Sequence, residues 1–261
     1  MGLLKSDKLN LLHKKLPEGA MVPSRWLQAQ GYSRQLLYKY VKSGWLRSPG
    51  PDTYCRSTTE LTWQSVVASW QHVSARAWHV GGETALNLLG HAYYLRLGGE
   101  AHVHLYGRGA VPGRVKGLSA SAEWVFHSRA LFATEDVAMG LQEWPSPIKA
   151  WPLTVSGAER AMLEALLDVH DEFSFTFAAE LMQGLTTLRP KLVTDLLKAC
   201  THIKVKRLFL FLAEYYQLPW LAKVDVGQID LGRGKRSVVR GGRLDSTYLI
   251  TVPEGFHAHA G

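Results

Sequence analysis

The sequence predicts an α+β protein with an N-terminal winged helix-turn-helix followed by a mixed α/β domain. Three observations lead there. Residues 21–56 run as helix, tight turn, basic helix and short β-wing; residues 62–127 mix helical and alternating periodicity; and helical stretches from 156 to 217 are followed by a β-like return at Tyr248–Val252. The chain has 261 residues, enough for two or three compact units. The expected domains are residues 1–58 and 59–261, with a weaker sub-boundary near residue 150.

The first module is read from MVPSRWLQAQGYSRQLLYKYVKSGWLRSPGPDTYCR. Pro23 suits a helix start, where its missing N–H costs nothing. Gly31 falls where that helix would end in a left-handed residue, and Ser33 can cap the next one, which runs to about Ser43–Gly44. In this second helix Leu36, Leu37, Tyr40 and Val41 share one face, and Arg34, Gln35, Tyr38, Lys39 and Lys42 take the other. Such a helix, directly after a tight turn, suits a DNA major groove. Trp45-Leu46-Arg47 and Thr53-Tyr54-Cys55-Arg56 flank the turn residues Ser-Pro-Gly-Pro-Asp, a wing that would set Arg47 and Arg56 near phosphates. Leu9, Leu12 and Leu16 fit a preceding first helix. A charged helix face can also be merely solvated, but the ordered set of elements is more specific than one amphipathic helix.

Charge is unevenly spread. Residues 1–56 hold ten Lys/Arg against three Asp/Glu, residues 57–202 eleven against fourteen, and residues 203–243 nine against three. A basic first module implies an anionic partner, of which phosphate backbones are the commonest. Hydrophobic content of 46% and nine Trp exclude a disordered chain. Cys55 and Cys200 are too few for a disulfide scaffold and fit a reducing compartment. No stretch reads as a signal peptide or membrane span, so a cytoplasmic location is expected, with no membrane partner.

Further along, Val66, Val67, Trp70, Val73 and Ala77 recur at helical spacing over residues 62–79, and Gly81-Gly82 breaks the pattern. A second helix is expected from Thr84 to Leu97, with Ala85, Leu88, Leu89 and Ala92 inward. Ala101–Tyr106 and the region of Glu123–His127 alternate as strands do, around a Gly-rich loop at 107–117. Pro145, Pro147 and Pro152 mark a break, and helices are expected near 156–170, 176–184, 189–200 and 203–217.

Candidate chemistry is sparse. His102 and His104 would share a strand face and His257 and His259 could do the same in the tail, but neither pair has a third ligand in zinc-type spacing. Solvent-facing histidines and no metal or other cofactor are the expectation. The 107–117 loop lacks the ending of a phosphate loop. Glu159, Glu164, Asp168, Asp171 and Glu172 could hold a divalent cation but read more readily as a solvated helix face, with Ser156 and Glu159 as a capping box. No nucleophile–base arrangement stands out, so no enzyme is expected. The strongest remaining feature is Arg233, Lys235, Arg236, Arg240 and Arg243, preceded by Lys204, Lys206 and Arg207 at the start of a helix. These are either a second surface for DNA, RNA or an acidic protein, or a solvated loop paired with Asp225, Asp230 and Asp245.

Five segments, PSRWLQAQGYSRQLLYKYVKSGWL, HVGGETALNLLGHAYYL, SGAERAMLEALLDV, KVKRLFLFLAEYYQLPWL and DLGRGKRSVVRGGRLDSTYLITVP, together resemble the AbiEi family of antitoxins and transcriptional autoregulators of type IV (AbiE-type) toxin–antitoxin systems. The resemblance spans about residue 20 to residue 253. It implies a winged helix that binds inverted repeats in double-stranded DNA of its own promoter, where paired half-sites would bring two copies together. It also implies a C-terminal region that counteracts, directly or indirectly, a co-encoded toxin of nucleotidyltransferase fold. Arg34, Gln35, Tyr38, Lys39 and Lys42 would then read or grip the operator, with Arg47 and Arg56 clamping its backbone. The block from Lys204 to Arg243 would lie on the antitoxic domain, supporting DNA bending or meeting the toxin's RNA target. The competing class is an RNA- or protein-binding adaptor without operator recognition.

Overall fold

The computed structural model describes residues 5–73, 78–91, 101–108, 122–133 and 138–256. The chain opens with α1 (Lys5–Lys15), β1 (Met21–Pro23), α2 (Ser24–Ala29), α3 (Arg34–Lys42), β2 (Leu46–Arg47) and β3 (Thr53–Arg56). The strands form an antiparallel sheet in the order β1-β3-β2, with Met21 opposite Cys55 and Leu46 opposite Arg56. This is the winged helix-turn-helix that the sequence predicts. Pro23 serves differently from expectation, as the last residue of an edge strand and the extended N-cap of α2. An edge strand tolerates its missing donor. Gly31 has φ +91°, the left-handed turn between α2 and α3, and Ser33 Oγ accepts from the Leu36 N–H at 3.3 Å to cap α3.

Next come α4 (Trp63–Val73), β4 (Trp78–Val80), α5 (Gly82–Leu88), β5 (Ala101–Gly107), β6 (Ala122–His127), β7 (Leu141–Trp144) and β8 (Leu153–Ser156). The five strands form one sheet, order β6-β5-β4-β8-β7, with β5–β6 and β4–β8 parallel and the other pairs antiparallel. Of the helix expected over 62–79, the described residues show Trp63–Val73, and Trp78–Val80 is instead the central strand. Buried on both faces, that strand lacks the alternation that would have marked it. The helix expected from Thr84 to Leu97 starts at Gly82 and stops at Leu88, where the chain turns with His91 N–H donating to Leu86 O at 2.9 Å. Ala92 and the rest of that expectation lie outside the described residues. Pro145, Pro147 and Pro152 occupy the connection of a hairpin in which Trp144 faces Leu153, so one sheet runs across residue 150.

The C-terminal part is helical, as read: α6 (Ala158–Leu167), α7 (Glu172–Gln183), α8 (Pro190–Ala199) and α9 (Ile203–Tyr215), followed by a hairpin of β9 (Arg243–Asp245) and β10 (Ile250–Val252). Their core gathers Leu166, Phe175, Leu208, Phe209 and Phe211.

The large sheet lies between two cores. Trp78, Val80, Val103, Leu105, Leu153 and Val155 point to one side, where they join Leu12, Leu16, Leu27, Leu37 and Val66 in one cluster. Thus the core runs unbroken across residue 58. Met21 N–H donates to Ser69 Oγ on α4 at 2.9 Å, and Trp26 stands edge-on to Trp151 at 6.2 Å. The opposite sheet face, under α5 and α6, carries polar side chains, among them His79, His104, Tyr106 and Ser156.

Candidate nucleic-acid interface and a buried polar layer

Helix α3 divides as its periodicity requires. Leu37 and Tyr40 are buried, Leu36 and Val41 half-buried, and Arg34, Gln35, Tyr38, Lys39 and Lys42 exposed. Lys39 and Lys42 sit in the last turn, where the helix dipole favours cations. Tyr38 is 69% exposed and Trp45, just beyond the helix, 48%. Trp45 reads in the sequence only as a wing residue; its ring is tilted against His13, with centroids 6.2 Å apart.

Arg47 and Arg56 have a different role from the expected phosphate contact. The Arg47 guanidinium donates to the Thr59 carbonyl. Arg56 Nε donates to Leu16 O at 2.7 Å, a second nitrogen donates to His13 O, and a third pairs with Glu18 at 3.3 Å. The His13 and Leu16 carbonyls lie at the C-terminal end of α1, where the helix leaves acceptors unmet. Arg56 therefore ties the wing to α1. In the wing turn, Ser48 Oγ and Thr53 Oγ1 both donate to Gly50 O, at 3.0 and 2.8 Å. Burial raises the Cys55 thiol to about 11, and it does the same for Cys200. Neither is poised to react.

The second basic block splits in two. Lys204 Nζ donates to Val169 O at 2.6 Å, and Lys206 Nζ to Asp230 O at 3.1 Å. Arg207, 2% exposed, donates to the carbonyls of Leu231 (2.7 Å), Gly234 (2.6 Å), Gly232 (3.0 Å) and Leu249 (3.3 Å). These three cations were expected on a surface; Lys206 and Arg207 are instead buried posts that hold the following loop. The apparent conflict of cations at a helix start is thereby explained, because their heads serve carbonyls of another segment. Arg233, Lys235, Arg240 and Arg243 are exposed, and Arg236 is half-buried, its backbone bridged to the last strand. Asp230 and Asp245 accept from the backbone N–H groups of Gly232 and Tyr248, and Asp225 accepts from the Gln228 amide.

The acids read as one solvated helix face are also divided. Glu164 is 1% exposed and accepts from His79 Nε2 (2.7 Å), Arg160 Nε (2.8 Å), Ser156 Oγ (2.7 Å) and Gly82 N–H (3.2 Å). A Cβ on Gly81 would overlap that carboxylate, so this position takes only glycine. Burial pushes the Glu164 carboxyl up, but the His79 ring and Arg160 guanidinium outweigh it and hold the group at about 2. Tyr106 is pushed well above its ordinary range by burial and by the Glu164 and Asp168 charges. Glu159 takes a two-pronged pair with Arg189, 2.9 Å at each contact. The capping box expected at Ser156 and Glu159 is absent from that helix, whose N-cap is Gly157. A capping box does occur at Asp171 and Ser174, at the start of α7.

The histidines correct a further expectation. His102 pairs with Glu123 at 3.2 Å, but His104 Nδ1 meets His127 Nε2 at 3.0 Å, and His127 Nδ1 meets Asp168 at 3.2 Å. The three residues come from β5, β6 and the end of α6, a convergence that local spacing cannot show. His257, His259 and most of the Gly-rich 107–117 loop lie outside the described residues. No helix among the described residues is long and apolar enough to cross a membrane.

Comparison with solved structures places the fold beside "Crystal structure of RV2827C protein from Mycobacterium tuberculosis", with a TM-score of 0.58, 14% identity, and coverage of 95% of this chain and 90% of that one. Comparison with curated proteins gives no match. Residues 5–97 match the family described as the N-terminal domain of the transcriptional regulator AbiEi antitoxin. Residues 100–253 match the transcriptional regulator AbiEi antitoxin of type IV toxin–antitoxin systems. With nearly every residue matched in these two segments, the chain belongs to the AbiEi family of antitoxin transcriptional regulators.

Proposed function

We propose that this protein represses its own operon by inserting α3 into the major groove of inverted repeats upstream, and that it neutralises a co-encoded nucleotidyltransferase-like toxin. The observation that carries the DNA reading is the partition of α3: its apolar side chains are held in the core while Arg34, Gln35, Tyr38, Lys39 and Lys42 stand outward together. Arg34 and Gln35, in the first turn, are the candidates for base edges; Lys39 and Lys42 suit phosphates. Arg47 and Arg56 are left out, since carbonyls of the module already occupy their guanidinium groups. For the antitoxic surface, the exposed Arg233, Lys235, Arg240 and Arg243 are the candidates, and Lys206 and Arg207 support them from beneath.

A mobility-shift titration against the gene's own upstream DNA, at two salt concentrations and beside a scrambled competitor, tests the first half. Specific, salt-sensitive binding supports repression. Equal and weak binding to both DNAs would instead favour an RNA- or protein-binding adaptor.

A further inference from the structure

The parallel pairing of β5 with β6 places Tyr106 opposite His127 and His104 opposite Val125, so His104 and His127 are diagonal neighbours on the polar face of the sheet. Their rings lie 12° from parallel with centroids 5.2 Å apart, and Tyr106 stacks on His127 at 4.2 Å. Further contacts fix the pair. Thr84 on α5 accepts from the His104 backbone N–H at 2.9 Å and donates to His102 O at 3.1 Å, locking the strand beneath the ring. Carboxylates stand at the outer nitrogens: Asp168 is 3.2 Å from His127 Nδ1, and Glu83 is 3.9 Å from His104 Nε2.

The inner nitrogens, His104 Nδ1 and His127 Nε2, stand 3.0 Å apart. An ion between the rings would take a lone pair from each, with the Asp168 carboxylate turning from His127 Nδ1 to the ion. One donor atom from each of His104, His127 and Asp168 can be chosen so that all lie within 4.8 Å of one another. Donors around a tetrahedral zinc ion stand roughly 3.3 Å apart, so only small side-chain shifts would close the set. Asp168 is half exposed while the two rings are mostly covered, which leaves an approach from solvent on one side.

We propose that His104, His127 and Asp168 bind a divalent transition-metal ion of the zinc class. Two imidazoles with one carboxylate suit such an ion, whereas magnesium and calcium prefer an all-oxygen shell. The ion would join the edge strand β6 to β5 and to the end of α6, with the Glu83 carboxylate 3.9 Å from His104 Nε2. Three protein ligands leave a fourth position open to water.

The test uses the full-length protein, stripped of metal with a chelator and titrated with zinc chloride by calorimetry and with cobalt chloride by visible absorption. The expected result is one ion per chain, visible cobalt bands, and a rise in melting temperature with zinc that magnesium does not produce. His104→Gln, His127→Gln and Asp168→Asn should each weaken zinc binding at least tenfold. Circular dichroism checks that each variant folds. Asp168→Asn keeps the test decisive if a histidine variant does not fold, because its side chain is half exposed. Absence of binding at millimolar zinc overturns the proposal. So does undiminished affinity in the folded variants, which would assign the ion to other histidines.

Discussion

His79 Nε2, on the central strand, and Glu164 Oε1, on α6, lie 2.7 Å apart in a layer where both side chains are almost wholly buried. Arg160, one helical turn before Glu164, completes the group at 2.8 Å and lays its guanidinium 4.7 Å from the centre of the Phe132 ring. A carboxylate is tolerated there because four donors surround it. It fixes the register of helix on sheet, and through β4 it links the helical half to the core shared with the winged helix.

This geometry sets a pH dependence. The Glu164 carboxyl falls from an ordinary 4.5 to about 2 in the fold. A depressed acid contributes stability above its unfolded value, and that contribution is lost as pH falls from about 4.5 toward 2; the size is about 3 kcal/mol. Glu164→Gln removes the charge and leaves Arg160 buried beside a neutral group, which should cost about 3–5 kcal/mol at pH 7. Denaturant unfolding of both proteins from pH 7 to pH 3 is the check. The gap between them should narrow as the carboxyl protonates in the unfolded chain while the native one stays ionised, and a gap that stays constant would show that the fold leaves Glu164 titrating as it does in the unfolded chain.

Arg56→Ala should destabilise the winged helix instead of acting as a surface change. It strips the His13 and Leu16 carbonyls of their charged donor, at a cost of about 1.5–3 kcal/mol. Thermal unfolding should shift, and DNA affinity should fall only as far as the module loosens. A variant with wild-type melting temperature and weakened, less salt-sensitive DNA binding would return Arg56 to the phosphate backbone.

The difference between Arg56 and Arg34 shows where sequence reading stops. Helix α3 could be read because its pattern is local: Ser33 caps it, Leu37 and Tyr40 follow the helical period, and Gly31 sets the turn before it. The C-terminal helices were legible for the same reason. Partners distant in sequence were not: Arg56 meets Leu16 across 40 positions, and His79 meets Glu164 across 85. Arg207 read as a surface cation because nothing in its own helix reveals that carbonyls 24 to 42 residues later close over it. The strand Trp78–Val80 was missed because burial on both faces removes the alternation by which strands are recognised. His104, His127 and Asp168 converge only after the sheet has formed and α6 has docked on it.

Arg34→Ala and Lys39→Ala should leave the melting temperature unchanged, since both side chains project from α3 into solvent. If Arg34 reads a base edge, its loss should cost about 1–3 kcal/mol on the operator and relax specificity at one position. If Lys39 holds a phosphate, its loss should weaken binding to every sequence alike and reduce the salt slope by about one. Mobility shifts with operator and scrambled DNA over a salt series separate these outcomes. Wild-type affinity in both variants would mean that α3 does not face the DNA.

The basic loop makes a comparable distinction between a working surface and its support. Neutralising Arg233, Lys235 and Arg236 together should impair rescue of toxin-expressing cells more than operator binding, because these side chains lie far along the chain from α3 and the fold does not depend on the first two. Arg207→Leu should act differently: with four carbonyls of the 231–249 segment left without their donor, the loop loses its anchor and stability falls by about 3 kcal/mol or more. Both variants should lose antitoxicity, but Arg207→Leu should lower the melting temperature far more than the triple variant, in which only Arg236 is half-buried. Full rescue by the triple variant, at wild-type protein levels, would mean that Arg233, Lys235 and Arg236 take no part in antitoxicity. Antitoxicity would then have to be sought on the other faces of the helical half.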